Sequence, residues 1–104
     1  MPFQTTVEVG GTLYVWADPA RTVRHIFVRR SPDATQLPEA GVLIVADPAD
    51  QALAVIELTD LSRQLPVQAA GHPTGSKFYW ASERNLMRRQ AMLKELTSSP
   101  IQVA

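Results

Sequence analysis

The sequence predicts a mainly β fold of the α+β class: five to seven antiparallel strands, laid down as successive hairpins, form a bent or partly closed sheet with one C-terminal α-helix. Three observations carry this. Apolar runs of strand length recur along the chain, turn signals rich in Gly, Pro and Asp separate them, and the clearest helical stripe lies near the C-terminus.

Composition sets the frame for these elements. A chain of 104 residues fits a single domain, 1–104, and at this size roughly two thirds of the unfolded surface can be buried. With 45% hydrophobic and 19% charged residues it is globular rather than disordered. Ten Lys and Arg balance ten Asp and Glu, so no overall field draws the protein to nucleic acid or anionic lipid, and only a local patch would serve. The absence of cysteine excludes disulfides, thiolate metal sites and a cysteine nucleophile. The amino-terminal MPFQTTVEVGG has neither a basic n-region nor an apolar h-region, and no apolar run approaches the ~18 to 20 residues that span a bilayer. The expectation is a soluble cytoplasmic protein with no membrane partner, export on a signal already removed being left open.

Phe3 to Val9 alternates, with Phe3, Thr5, Val7 and Val9 on one face and Gln4, Thr6 and Glu8 on the other, the period of a half-buried strand. Gly10-Gly11 suits a tight hairpin turn, and Thr12 to Ala17 returns as a second strand. On that strand Tyr14 and Trp16 lie opposite Leu13, Val15 and Ala17, so both faces are apolar and the second needs cover from a helix, another sheet layer or another subunit. Asp18-Pro19-Ala20-Arg21 is turn chemistry, and Val23 to Arg30 is a third strand. Ser31 to Ala40, with Pro32, Asp33 and Pro38, is a surface connection carrying the chain across one end of the sheet.

Gly41 to Leu58 is the longest apolar run, interrupted by Asp47-Pro48-Ala49-Asp50, and it repeats at positions 46–49 the Ala-Asp-Pro-Ala of positions 17–20. The simplest account is one turn used twice, which makes this run a second hairpin. In the competing account Asp47 caps a helix with Pro48 at its first position, and Ala52, Val55, Ile56, Thr59 and Leu65 form its stripe. Ala52 to Leu58 has no polar residue except Glu57, so such a helix would need burial on nearly every side. The strand is therefore favoured, with a short helical turn admitted across Thr59 to Gln64.

A third hairpin is read from Pro66 to Ala70 and Lys77 to Ala81, flanking Gly71-His72-Pro73-Thr74-Gly75. Alternation sends Phe78 and Trp80 to one face, closing the sheet against the helix, and Tyr79 to the other. The helix is expected over Ser82 to Ser98, with Ser82 as cap, Glu83 at the positive end of the dipole, and Leu86, Leu93 and Leu96 as a stripe widened by Met92. Pro100 ends it, and Ile101 to Ala104 form a frayed end. A string of hairpins ending in a helix resembles, in element order alone, a pleckstrin-homology-like barrel. The tryptophan of such a final helix has no counterpart here, where Arg89 and Gln90 are polar, and the first hairpin turn lacks lipid-binding basic residues. The resemblance therefore implies element order and no family.

No motif marks a chemical site. His25 and His72, the only histidines, lack metal-ligand spacing such as HExxH; the first belongs on the outer face of a strand and the second on a turn. Gly71 to Lys77 is one residue short of GxxxxGK[ST], has Ser before Lys, and leads into an aromatic strand, which excludes a nucleotide loop. No serine lies in GxSxG, and Asp18, Asp47 and Asp50 are turn formers. Catalytic, cofactor and metal residues are therefore assigned to none.

The candidate interaction surface comprises Tyr14, Trp16, Arg29, Arg30, Tyr79, Arg84, Arg88 and Arg89. The leading expectation is a non-catalytic binding module, homo-oligomeric, presenting a sheet face or strand edge to a protein partner or to itself. The alternative is a nucleic-acid-binding accessory or regulatory protein that stacks bases on aromatics, Trp80 among them, beside arginine. Against it stands an ordinary solvated helix face, with Arg84 and Arg88 at i, i+4 and Glu83, Glu95 and Asp60 to offset them. A third expectation is a small-molecule pocket or enzyme using His25, His72 and Lys77 as its polar groups.

Overall fold

The computed structural model describes residues 4–9, 13–17, 24–33 and 35–97. Its elements are β1 (Gln4–Val9), β2 (Leu13–Ala17), β3 (Arg24–Arg30), β4 (Gly41–Ala46), β5 (Ala52–Leu58), α1 (Leu61–Ala70), β6 (Lys77–Ser82) and α2 (Leu86–Thr97). All ladders are antiparallel, and the order across the sheet is β1-β2-β3-β6-β4-β5. The class is α+β, with an antiparallel sheet and a C-terminal helix. The turns read at Gly10-Gly11 and at Asp18 to Arg21, the start of β3 at Val23, and the chain from Ser98 through Pro100 to Ala104 lie outside the described residues.

Two expectations are corrected. The strands are not a run of successive hairpins, because β6 is inserted between β3 and β4. There are also two helices rather than one, since Pro66 to Ala70 belongs to α1 and not to a third hairpin. The same topology requires both changes. Since β5 and β6 each run antiparallel to β4, they run parallel to one another, and parallel strands need a crossover instead of a tight turn. The crossover is α1. This sheet order and the mid-chain helix also depart from the element order of a pleckstrin-homology-like barrel.

The connection 31–40 follows from the same geometry. Arg30 pairs with Phe78 and Phe78 with Val45, so β3 ends level with the far end of β4. The chain must therefore run back along the sheet to enter β4 at Gly41, instead of crossing one end as expected. On the way Glu39 Oε1 accepts a hydrogen bond of 3.0 Å from Trp80 Nε1 and lies 3.8 Å from Arg30 Nη2.

Ala52–Leu58 is a strand, as favoured. The turn before it uses the aspartates conformationally: Asp47 Oδ1 accepts from the N–H groups of Ala49 and Gln51, each at 2.9 Å, and Asp50 takes φ 62°. Asp is among the few residues that enter this left-handed region readily.

Both sheet faces are packed around β4, every residue of which is buried. On one face Phe27, Val42, Ile44, Ala46, Ala52 and Tyr79 gather under Leu96 of α2, with Met92 at the margin. On the other Leu43, Val45, Leu58, Phe78 and Trp80 gather with Leu61 and Leu65 of α1. Phe78 and Trp80 thus share a face opposite Tyr79, but the helix they meet is α1, not the C-terminal one. Backbones approach closely at Gly41, where an added Cβ would collide with the carbonyl of Ala81 and the ring of Trp80.

The helix starts correct the remaining boundaries. Ser82 ends β6, and α2 is capped by Asn85, whose Oδ1 accepts from Arg88 N–H at 3.0 Å. Leu86 is exposed, so the inward stripe of α2 is Arg89 and Leu96, both buried, with Met92 and Leu93 half-buried. At the head of α1, Gln64 Oε1 reaches back to the N–H groups of Asp60 at 2.7 Å and Thr59 at 2.8 Å, a variant of the capping box. Ser62 Oγ donates to Asp60 Oδ1 at 2.6 Å, and this bond chiefly holds the Asp60 carboxyl below its ordinary value of 3.8.

Pro66 sits inside α1 and has no N–H to close the bond to the preceding turn. Replacing the exposed Pro66 with Ala is expected to stabilise the fold by about 1 to 3 kcal/mol, read as a higher urea midpoint at unchanged slope. The lowered Asp60 acid favours the folded state above pH 3.8, and that contribution is lost as the pH falls through the folded value. Acid melts of Asp60→Asn should therefore show a shallower loss of stability below that pH than those of the parent chain.

Candidate interaction surface

Alternation separates residues that sequence proximity had grouped. Arg29 and Arg30 adjoin on β3 and so belong to opposite sheet faces. The Arg29 guanidinium carbon lies 5.3 Å from the centroid of Tyr79, on the α2 face, within cation–π range. Arg30 belongs to the other face, where Glu39 is its nearby carboxylate and its Nε is buried without a partner. Tyr14 pairs with Phe27 in the ladder and meets Tyr79 edge to face at 5.1 Å. Tyr79 and Trp80 are both buried, so neither presents a stacking platform. The side chain of Trp16 lies outside the described ones. Arg88 is exposed in the first turn of α2, and Arg84 is exposed in the segment before the helix, so the two are not an i, i+4 helical pair.

Arg89 is 6% exposed and serves the fold rather than the surface. Its Nε donates to Glu57 Oε2 at 2.7 Å, and Nη1 donates to the carbonyls of Glu83 at 3.0 Å and Arg84 at 2.8 Å. One guanidinium thereby ties α2 both to β5 and to the segment that leads into the helix. The planar fork of arginine supplies these donors at once, which a lysine ammonium cannot match.

The polar groups considered for a pocket are spread apart. His25 Nε2 and Glu95 Oε2 are 3.2 Å apart, linking β3 to α2. Lys77 Nζ and Tyr79 Oη both donate to Asp50 Oδ1, at 3.1 and 2.6 Å, pinning the β4–β5 turn against β6. His72 lies in the loop after α1, its N–H bonded to the carbonyl of Ala69 at 3.4 Å. A shallow groove of about 510 Å³ is lined by Leu37 to Ala40, Thr59, Ser82 and Arg84, none of which belongs to that set. Among the described residues no three His, Asp or Glu side chains gather as metal ligands, and no helix is long and apolar enough to cross a membrane.

The feature that sequence reasoning did not single out is the outer edge of β5. This strand ends the sheet, and among the described residues nothing pairs beyond it. Its sequence ALAVIEL contains one charge, Glu57, which Arg89 neutralises, and Leu53 is 46% exposed. Proteins usually blunt such edges with lysine, proline or a covering loop, because unpaired N–H and C=O groups template further strands. Among the described residues none of these protects Ala54 to Leu58. At the opposite edge β1 carries a register shift between Thr5 and Val7, a bulge that disfavours regular pairing.

Compared with protein-family models, with curated proteins and with solved structures, the chain matches none. Function therefore has to be argued from this geometry alone.

Removing the buried cation should be costly. Arg89→Ala leaves Glu57 and the two carbonyls without their donor and is expected to lower stability by about 3 to 5 kcal/mol. Arg89→Lys should recover only a minor part of that loss, as measured by chemical denaturation.

Proposed function

We propose that the chain is a non-catalytic cytoplasmic interaction module that presents the β5 edge of its sheet to a protein partner. The observation that carries this reading is that, among the described residues, nothing pairs with the outer edge of β5, whose one charge, Glu57, is held by Arg89. Main-chain groups there give affinity to any added strand, and the flanking side chains select which strand it is. The arginines lend less support to a nucleic-acid site, because Arg29 and Arg30 diverge to opposite faces and Arg89 is buried in an ion pair.

The test is affinity capture from the native lysate, with and without nuclease, using the parent chain and Val55→Pro. The expected result is a protein retained through nuclease treatment and lost with Val55→Pro. Retention that nuclease abolishes would move the function to nucleic acid, and a partner indifferent to Val55→Pro would move it off this edge.

A further inference from the structure

We infer that Met92 is an oxidation-sensitive fastening of α2: conversion of its thioether to the sulfoxide loosens that helix from the sheet and uncovers the aromatic floor beneath it. The inference is independent of the β5 edge. The helix lies on the sheet along a narrow line. Among its described side chains only Arg89 and Leu96 are buried, and Met92, three residues after the first and four before the second, stands between them on the same side. It packs against the cluster that contains Phe27, Val42, Ile44 and Tyr79. Two polar contacts hold the helix as well, the Arg89–Glu57 ion pair at 2.7 Å and the approach of His25 to Glu95 at 3.2 Å. Met92 is thus the apolar link between the ion pair on β5 and the contacts that Leu96 and Glu95 make near the end of the helix.

The chain has no cysteine, so its methionines are the sulfurs that a peroxide can oxidise. Met1 lies outside the described residues, and Met87 is 79% exposed on the outward side of α2. Met92 is half-buried, so peroxide reaches it after Met87. Hydrogen peroxide transfers one oxygen atom to the thioether: an S–O bond forms, the O–O bond breaks, the sulfur gives up two electrons, and the reduced peroxide leaves as water. A flexible apolar side chain becomes a polar one with a strong acceptor. On the underside of α2 that oxygen must either lie among apolar side chains or compete for the Arg89 guanidinium, whose Nε and Nη1 already hold Glu57 and two carbonyls. Either outcome weakens the seat of the helix, since a buried acceptor without a donor is costly and a diverted guanidinium gives up its tie. At Met87 the same oxygen meets water and changes nothing beneath the helix.

The test treats the folded chain with hydrogen peroxide, locates each added oxygen by peptide mass spectrometry, and follows amide hydrogen exchange in α2. Met87 should oxidise first and leave the exchange unchanged. Oxidation of Met92 should then speed exchange across α2 by at least about tenfold while β4 keeps its protection. Methionine sulfoxide reductases acting on both epimers should restore the slow exchange. Met92→Leu replaces the thioether at similar volume, so the variant should fold, and peroxide should leave its α2 exchange slow. Met87→Leu should respond to peroxide as the parent chain does. Unchanged exchange in a chain oxidised at Met92 overturns the inference. So does equal loosening of Met92→Leu under peroxide, or a Met92 that stays reduced until the whole chain unfolds.

Discussion

The constraint on which the other elements depend is the double burial of β4. A strand from which water is excluded on both faces must have hydrogen-bonded neighbours at each edge and an apolar layer above and below. The edges are supplied by β5 and β6, and the layers by α1 with Leu61 and Leu65 and by α2 with Leu96. The absence of a side chain at Gly41 belongs to the same demand, because the strand enters where β6 and the Trp80 ring are already close. The two helices lie on opposite faces because β4 has two faces to hide.

Polar groups inside this arrangement act as ties between elements that hydrophobic packing alone would leave free to slide. Arg89 joins α2 to β5 and to the helix entry, Asp50 gathers Lys77 and Tyr79 to the turn, and Trp80 bonds both Glu39 and Ser82. Each tie fixes a registry: a sliding helix or a slipped strand would leave a buried donor or acceptor unmatched, at a cost of about 1 to 3 kcal/mol. That is a stronger restraint on uniqueness of structure than on total stability.

How much of this was legible in the sequence depended on whether the signal was local. The strand over Ala52 to Leu58 could be read because its lack of polar residues excludes a half-exposed helix. The opposition of Phe78 and Trp80 to Tyr79 follows from alternation. The helix over Leu61 to Ala70 was obscured by Pro66, which reads as a breaker, although Asp60 with Gln64 and the Leu61, Leu65, Ala69 spacing did carry a start signal and a stripe. Placement of β6 between β3 and β4 is a long-range pairing that no local pattern encodes. For the candidate surface the loss was greater. Clustering of arginines in sequence does not survive alternation at Arg29 and Arg30, nor the ion pair that draws Arg89 inward. The place of β5 at the margin of the sheet leaves no mark in composition, because it is decided by which distant strands pair with which.

Insertion of β6 also dictates the order in which the molecule can be completed. The meander β1-β2-β3 and the hairpin β4-β5 are each built from neighbouring segments, and the ladders that join them all run through Lys77–Ser82. During synthesis the two parts therefore emerge as separate pieces with unsatisfied edges, and the strand that unites them follows both in the sequence. Closure is a late event of high contact order, slow compared with the hairpins that precede it. Until it happens the nascent chain displays, at the edges of β3 and β4, backbone groups that the finished sheet pairs with β6.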